Sequence, residues 1–324
     1  MRILMMGTSN FALPSLEKLT ESNYNILGLV TQVDKPKERG RKVQYPPTKT
    51  LALRKNIPVW QFESIKEQRA FELISNLNLD LIVVVAYGQI IPNNILLLPK
   101  FGCINLHASL LPKYRGAAPI NWALVNGEKI TGNTVAWITN KLDSGDIILQ
   151  EEYKITPYDN FGVLHDILAT KGAILLLKAI ELINNNQVHC ISQDESQVSY
   201  APSFNKNELR INWNQSSKDI HNFAKGFSPK PGAFTYLNNK ILKILDTVPS
   251  SQLILPLKIR LAPPGTIISI NKEGFIIITK PFNDNQIDFI LVTQVQLENC
   301  KPMTASQFLR GHRIEIGIRL GGNQ

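Results

Sequence analysis

The sequence predicts an α/β domain built on a parallel sheet, followed by a small antiparallel β-barrel domain. Three observations predict this arrangement. Apolar runs alternate with helix-like segments over the first part of the chain, and from about residue 205 the pattern changes to short strands broken by Gly, Asn and Pro. The chain also has 324 residues, 44% of them hydrophobic, which is enough for two separate cores.

A Rossmann-like sheet is predicted for the first part of the chain. Its apolar runs are continuous, which indicates strands that are covered by helices on both faces. Strands are predicted at residues 2–6, 26–31, 58–60, 81–86, 102–107, 133–138 and 147–155. Helices are predicted at residues 11–20, 66–77, 92–98, 117–125 and 161–183. Most of the strands alternate with helices, as parallel strands require.

The second part of the chain predicts a small OB-like barrel or a sandwich. Its short strands are predicted at residues 233–237, 241–246, 265–270, 274–279 and 287–292. Between the two parts lie an Asn-rich run at 184–186 and a polar stretch at 193–199. We therefore predict an α/β domain at residues 1–185, a linker at 186–204 and a β-barrel domain at 205–324.

Basic residues are concentrated in two places. The formal net charge is +9, but residues 1–200 hold 20 Lys and Arg against 18 Asp and Glu, whereas residues 201–324 hold 15 against 8. Within the first part, residues 34–49 hold six basic and two acidic residues. Within the second, residues 201–260 hold nine and three. Two such basic regions are compatible with a polyanionic partner.

Several classes of protein are disfavoured by what the sequence lacks. Its three cysteines, Cys103, Cys190 and Cys300, form no disulfide pattern, and the apolar run at 79–87 is too short to cross a bilayer. Since no signal-like leader stands at its start, we expect a cytoplasmic protein without membrane contact. The segment at 5–10 does not fit GxGxxG, which disfavours a dinucleotide oxidoreductase. The five histidines show no metal-ligand spacing, so we expect no metal.

One short stretch carries the residues of a candidate active site. Asn105 and His107 are two residues apart on a predicted strand, so their side chains share a face at its carboxyl end, where open α/β sheets place their sites. Asp143 follows in the sequence Leu-Asp-Ser-Gly. An amide and an imidazole can donate to an oxyanion while a carboxylate orients the imidazole, which suits acyl transfer. Taken singly, a His at a strand end and an Asp in a turn are more often structural.

Taken together, these residues resemble the folate-dependent formyltransferases. That family carries Asn-x-His, then Ser-Leu-Leu-Pro, and an Asp in Leu-Asp-x-Gly about 36 residues after the His, and this chain matches in order and spacing. The resemblance implies that Asn105, His107 and Asp143 are catalytic and that 10-formyltetrahydrofolate is the co-substrate. It also implies a folate site formed by Tyr87, Gly88, Ile90, Ser109, Leu110, Leu111 and Pro112.

Within that family, the chain is most similar to the branch that formylates methionine on initiator tRNA. The similarity covers nearly the full chain and is carried by residues 31–36, 39–42, 114–120, 200–202 and 301–311. It implies that the partners are folate and initiator Met-tRNA and that the β-barrel domain binds tRNA; we expect a monomer. The tRNA contacts that it implies in the first basic region are Lys35, Arg39, Gly40, Arg41 and Lys42. One departure is Asn212, where the branch usually has Asp before Trp213.

Two other functions remain open on the sequence. A formyltransferase that acts on a small amine, such as glycinamide ribonucleotide or an amino sugar nucleotide, shares the three catalytic residues. It does not call for the basic regions or for the Arg-Gly-Ala-Ala-Pro stretch at 115–119. A non-catalytic RNA-binding protein accounts for the charge but not for the catalytic set. Incubation with 10-formyltetrahydrofolate and either Met-tRNA or a small amine distinguishes these functions.

Overall fold

A computed structural model of the chain describes residues 1–36, 43–252, 262–280 and 288–321. The chain forms two compact units, each made of several segments. The first unit comprises Met1–Pro119, Ile130–Lys154 and His165–Pro202. The second comprises Ile120–Lys129, Ile155–Leu164 and Ser203–Gln324. Two short segments that precede the predicted linker thus belong to the second unit.

The first unit contains a seven-stranded, mostly parallel sheet. The strands of this unit in chain order are β1 (Arg2–Gly7), β2 (Asn25–Thr31), β3 (Lys35–Pro36), β4 (Val43–Gln44), β5 (Val59–Gln61), β6 (Leu81–Val85), β7 (Cys103–His107), β8 (Ile130–Trp137) and β9 (Ile147–Lys154). The sheet order is β5-β2-β1-β6-β7-β8-β9, and β3 pairs only with β4. The strands from β5 to β7 in this order are parallel, whereas β8 and β9 are antiparallel to their neighbours. The predicted Rossmann-like fold is confirmed, with an antiparallel edge.

Helices occupy all five of the predicted positions in the first two-thirds of the chain, and one further helix is present there. They are α1 (Leu13–Glu21), α2 (Pro47–Arg54), α3 (Gln68–Ser75), α4 (Asn93–Leu96), α5 (Pro119–Val125) and α6 (Phe161–Asn184). Helix α2 begins at a proline and was not predicted from the sequence. Proline is favoured in a first helical turn because its missing N–H would have no partner there. Within the described residues, no helix is long and apolar enough to cross a membrane.

The central strands bring two loops to one edge of the sheet. All five residues of β6 are buried, as expected for five consecutive Leu, Ile and Val residues covered on both faces. Val84 of β6 pairs with Asn105 of β7 in a parallel ladder. Because both strands run in the same direction, the loops that follow them leave the sheet side by side. These loops contain the predicted folate-binding residues.

The second unit is built on an antiparallel, barrel-like sheet, which confirms the predicted β domain. Its strands are β10 (Ala233–Leu237), β11 (Lys240–Pro249), β12 (Ile267–Ile270), β13 (Phe275–Ile278), β14 (Phe289–Leu297) and β15 (Met303–Thr304). The order is β10-β11-β14-β13-β12, and β15 also pairs with β14. Two helices that were not predicted, α7 (Ser217–Phe227) and α8 (Ala305–Gly311), begin with side-chain caps from Ser216 and Thr304.

Candidate active site

Asn105, His107 and Asp143 meet at β7. Asn105 Nδ2 donates to Asp143 Oδ1 at 3.3 Å, and His107 Nδ1 lies 3.7 Å from Asp143 Oδ2. His107 is 6% exposed. The backbone N–H of Gly116 also donates to Asp143 Oδ2, at 2.9 Å. The three side chains that the sequence analysis singled out are therefore in one place, with the carboxylate shared between the amide and the imidazole.

Asp143 reaches this place from an unexpected direction. Strand β8 runs antiparallel to β7, so its last residue, Trp137, pairs with Ile104 near the start of β7. The loop at 138–146 therefore begins away from the carboxyl end of β7 and returns toward Asn105 and His107. Gly145 allows this return, because a side chain there would collide with the carbonyl oxygen of Trp137.

The ring of His107 has a defined orientation. Its Nε2 lies 2.9 Å from the carbonyl oxygen of Tyr114. Since a carbonyl can only accept, Nε2 carries a hydrogen and donates it. The other ring nitrogen, Nδ1, faces Asp143 at a distance longer than a hydrogen bond. Nδ1 is therefore the ring nitrogen available to a reacting group, as a donor when the ring is protonated and as an acceptor when it is neutral.

The site is surrounded by strained backbone. Nine non-glycine residues of the described chain have positive φ, and six of them are Asn, which tolerates this conformation. The other three are Ala86 (φ 46°), Tyr114 (φ 63°) and Asp143 (φ 47°). They stand in the loops after β6, β7 and β8. Such conformations persist only where the surrounding structure holds them, and they are concentrated at functional sites.

The predicted folate loop at 109–112 is anchored to β8 and β9. The Thr134 hydroxyl donates to the Ser109 carbonyl at 2.6 Å and accepts from the backbone N–H of Leu111 at 3.1 Å. Gln150 Nε2 donates to the Leu111 carbonyl at 2.8 Å and to Thr134 Oγ1 at 2.9 Å. Ser109 itself is buried, and its hydroxyl donates to the Lys113 carbonyl at 2.6 Å. The Ser109 side chain therefore stabilises the conformation of this loop through a hydrogen bond within it.

The second predicted folate loop follows β6. Tyr87 is 2% exposed as a whole residue and packs in the core, and its carbonyl oxygen accepts from the Thr8 hydroxyl at 2.8 Å. Its hydroxyl has no hydrogen-bond partner among the described residues. Burial, with a smaller contribution from the charge of Glu67, raises the pKa of Tyr87 to about 12. Gly88 has a left-handed backbone (φ 90°). Gly88 and Ile90 are both exposed, Ile90 to 74%, so this part of the loop is accessible to a ligand.

A third segment at the site was not identified from the sequence. Residues 193–199, predicted as part of a linker, contact the loop after β7. Gln193 Nε2 donates to the carbonyl oxygens of Asp143 and Gly145 at 2.8 and 2.7 Å. Arg115 donates to Gln193 and forms an ion pair with Glu195, and the hydrogen bond from Arg115 lowers the pKa of Glu195. No local pattern marks a contact between residues 78 positions apart.

Most of the predicted tRNA-binding residues of the first basic region lie outside the described residues. These are Arg39, Gly40, Arg41 and Lys42. Lys35 is described, is exposed and stands on β3 opposite Gln44. Lys49 is held by Asp34 at 2.6 Å. Burial alone would raise the pKa of Asp34, but hydrogen bonds from Lys49 and Gln61 and the charge of Lys49 lower it.

The basic region of the second unit presents exposed lysines. Those described are Lys206, Lys218, Lys230 and Lys240. Phe227 is buried in the core, whereas Tyr236 lies beneath Arg210, whose guanidinium is 5.2 Å from the ring centre. Asn212 accepts from the backbone N–H of Asn214 at 3.0 Å. An aspartate could accept the same bond, so this departure from the expected pattern preserves the local turn.

Comparison with known proteins identifies the family. The chain matches the formyl transferase family over residues 1–180 and the formyl transferase C-terminal domain over residues 204–313. It is 44% identical over 319 residues to the methionyl-tRNA formyltransferase of Syntrophus aciditrophicus, covering 98% of both chains. It is also 43% identical to that of Clostridium beijerinckii, covering 99% of this chain and 100% of the relative.

This chain belongs to the methionyl-tRNA formyltransferase family. It is therefore an enzyme, a one-carbon transferase, and the family predicted from Asn105, His107 and Asp143 is confirmed. Among the described residues, no group of three or more His, Cys, Asp or Glu side chains is arranged to hold a metal ion.

Solved structures share the fold at low sequence identity. A sugar 3N-formyl transferase, solved with dTDP and 5-N-formyl-THF, aligns with a TM-score of 0.63 at 21% identity, covering 90% of this chain and 97% of that chain. HypX from Aquifex aeolicus, in complex with tetrahydrofolic acid, aligns with a TM-score of 0.60 at 17% identity, covering 95% of this chain and 47% of that chain. These similarities establish the fold, and both proteins were solved with a folate.

Proposed function

We propose that this protein transfers the formyl group of 10-formyltetrahydrofolate to the α-amino group of methionine on initiator tRNA, for translation initiation. The observation that carries the proposal is the meeting of Asn105, His107 and Asp143 in a chain that is 44% identical, over nearly its whole length, to a methionyl-tRNA formyltransferase. Since initiator tRNA is aminoacylated and used in the cytoplasm, we propose that the reaction takes place there. The expected monomer stays a prediction, to be checked by light scattering.

The reaction needs donors for a developing oxyanion. The α-amine attacks the formyl carbon, the new C–N bond forms, and the formyl oxygen becomes negative in a tetrahedral intermediate. Asn105 donates one amide hydrogen to Asp143 and has a second for the oxyanion. His107, when protonated, can donate from Nδ1 with charge assistance. Collapse breaks the bond to N10, and the proton lost by the amine ends on N10.

Asp143 has two tasks in this scheme. Its carboxylate lies beside Asn105 Nδ2 and His107 Nδ1, so it orients the amide and balances the charge of a protonated imidazole. It also lies 3.7 Å from His107 Nδ1, so it can receive the amine proton directly or through water. Asp143 is thus proposed to couple proton removal to stabilisation of the oxyanion.

The site suits a formyl-folate. A formyl oxygen only accepts hydrogen bonds, and Asn105 and His107 offer donors toward it. The predicted folate residues Gly88 and Ile90 lie at the surface of one adjoining loop, and Leu110, Leu111 and Pro112 lie in the other. We propose that these loops bind the folate, with Tyr87 and Ser109 contributing through the backbone conformation that their side chains maintain.

The tRNA is proposed to bind to both basic regions. In the first, Lys35, Arg39, Arg41 and Lys42 would contact phosphates, and Gly40 would allow close backbone approach. Lys35 is exposed on β3, which supports this role. In the second, the exposed lysines of the β domain would follow the tRNA backbone. We also keep as a proposal that the α/β domain ends at residue 185 and that the tRNA-binding β-barrel domain begins at residue 205.

A direct assay tests the proposed function. The enzyme is incubated with 10-formyltetrahydrofolate and either initiator Met-tRNA, glycinamide ribonucleotide or a dTDP-amino sugar, and tetrahydrofolate release and formylated product are measured. We expect formyl-methionine on the tRNA and little product on the small amines. Efficient formylation of a small amine without formylation of the tRNA would instead support a small-amine enzyme.

Removal of either donor should abolish most of the activity. We expect His107→Ala and Asn105→Ala each to lower turnover at saturating substrates by at least about 100-fold, because each removes a donor to the oxyanion. Matched controls are His189→Ala and Asn185→Ala, which change exposed residues elsewhere in the first unit and should keep full activity. Near-normal turnover in either site variant, with unchanged thermal stability, would exclude that residue from the mechanism.

A further inference from the structure

We propose that Arg115 and Gln193 are positioning residues for Asp143. Arg115 orients the side-chain amide of Gln193, and that amide holds the backbone of the loop that carries Asp143. The inference rests on the proposed function, because it assumes that Asp143 acts in formyl transfer. All three residues belong to the first unit.

Gln193 connects Arg115 to the Asp143 loop. Its Oε1 accepts from Arg115 Nε at 3.1 Å and Nη2 at 2.8 Å, while its Nε2 donates to the carbonyls of Asp143 and Gly145 at 2.8 and 2.7 Å. A guanidinium has only donors, so the amide oxygen must face it and the NH2 group must face away. Arg115 therefore determines which end of the amide meets the loop, a choice that the shape of an amide leaves open.

The loop that carries Asp143 needs hydrogen bonds from neighbouring residues to fix its conformation. Asp143 has a left-handed backbone (φ 47°), which Asp adopts more readily than most residues but which is still less favourable than an extended or right-handed backbone. Its carbonyl is fixed by Gln193, and its carboxylate is fixed by the backbone N–H of Gly116 at 2.9 Å. Gly116 directly follows Arg115, so the Arg115 segment holds Asp143 from both sides. Loss of either the Gln193 bond to the carbonyl or the Gly116 bond to the carboxylate should move the carboxylate relative to His107 and Asn105.

Arg115 is not available to a substrate. It is 3% exposed, and its charge is met by Glu195 at 2.8 Å. Its backbone N–H donates to the Ser199 carbonyl at 2.8 Å, and its carbonyl accepts from Ala201 at 2.7 Å. A guanidinium enclosed in this way cannot contact a phosphate of tRNA or the carboxylates of folate. Its effect on the reaction must therefore pass through the residues that it holds.

The test is the substitution Gln193→Glu. A carboxylate keeps both acceptor bonds to Arg115, but it removes the donors to the Asp143 and Gly145 carbonyls and places an oxygen against them. We expect turnover to fall by about 10- to 100-fold, as for residues that orient a catalytic group. The KM values for tRNA and folate should change less. The matched control is Gln187→Glu, the same change at an exposed residue of the first unit outside the segment at 193–199; it should retain full activity.

A double-mutant cycle separates positioning from a general structural effect. Asp143→Asn alone should lower turnover by about 100- to 1,000-fold. If Gln193 acts through Asp143, the variant carrying both Gln193→Glu and Asp143→Asn should be no slower than Asp143→Asn alone. Losses that multiply, or full turnover in Gln193→Glu, would overturn the proposal.

A second measurement does not depend on activity. The backbone amide of Gly116 donates to Asp143 Oδ2, so its hydrogen exchange reports the position of the carboxylate. We expect exchange at Gly116 to be at least about 10-fold faster in Gln193→Glu and unchanged in Gln187→Glu. Unchanged exchange in both variants contradicts the positioning role. Failure of the wild-type enzyme to formylate Met-tRNA contradicts only the proposed function, because the exchange result still decides whether Gln193 holds Asp143.

Discussion

Ala86 and Tyr114 hold a left-handed backbone conformation that costs about 1–3 kcal/mol for such residues, and Asp143 holds the same conformation at a lower cost because its short polar side chain tolerates it. Each stands in a different loop at the candidate active site. An Asn at such a position can be anticipated from the sequence because Asn tolerates the conformation, but an Ala or a Tyr gives no such signal. The sequence therefore identified the chemical groups of the site without showing the backbone strain on which their arrangement depends.

Tyr87 illustrates the difference between a residue's place in a motif and its role. The resemblance assigned it to folate binding, yet its hydroxyl is buried without a partner among the described residues. We expect Tyr87→Phe to raise the free energy of unfolding by about 1 kcal/mol, because it removes a desolvated hydroxyl. The KM for folate should not change. Chemical denaturation and steady-state kinetics measure the two effects.

The control for this substitution is Tyr158→Phe, in which an exposed hydroxyl is removed. This control should leave both the free energy of unfolding and the KM for folate unchanged. A rise in the folate KM of Tyr87→Phe, or a loss of stability, would mean that the hydroxyl has a partner in the working enzyme.

Elements with strong local signals were predicted well. Strands β6, β7 and β10 were placed to within one residue, because continuous apolar runs and Gly or Asn boundaries define them. Helices α7 and α8 were missed although their caps are visible: Ser216 precedes Asp219 by three residues, and Thr304 precedes Gln307 by three. Helix α2 was also missed, although the proline at its start is a recognised helix-start signal.

Other features of the site depend on contacts between distant elements. The bonds from Gln193 to Asp143 and from Arg115 to Gln193 join positions 50 and 78 residues apart. Polar residues at 193–199 therefore looked like a linker, since nothing in their composition shows that they pair with the loop after β7. Tertiary packing decides such contacts, and a single sequence does not encode it in a local pattern.

Strand β8 supports the predicted folate loop through the hydroxyl of Thr134. We expect Thr134→Val to lower the free energy of unfolding by at least about 2 kcal/mol, because it leaves the Ser109 carbonyl and the Leu111 N–H without their partner. The folate KM should rise as the loop at 109–112 loosens. Thr134→Ser keeps the hydroxyl, so its free energy of unfolding should fall less and its folate KM should rise less than in Thr134→Val. Equal stability of the Val and Ser variants would show that the hydroxyl does not hold the loop.

At the scale of the whole molecule, the charge of the chain is less uniform than its net value of +9 implies. In the first basic region, Lys49 is paired with Asp34 at 2.6 Å and is partly buried, so its charge is already balanced. Lys35 is exposed and unneutralised by any ion pair among the described residues. The capacity to bind a polyanion therefore depends on particular side chains of the region rather than on its total charge.

The salt dependence of tRNA binding tests this distribution. If Arg39, Arg41 and Lys42 bind phosphates, replacing all three with Ala should weaken tRNA binding and reduce the slope of log K against log salt by roughly one for each phosphate that the variant leaves unneutralised. Folate binding should not change. The matched control replaces Lys66, Arg69 and Lys178, three exposed basic residues on or next to α3 and on α6, and so makes the same change in net charge. It should leave the slope nearly intact, because only side chains that bind phosphates release counterions. Equal slopes for the wild type and the loop variant would leave the tRNA to the basic β domain alone.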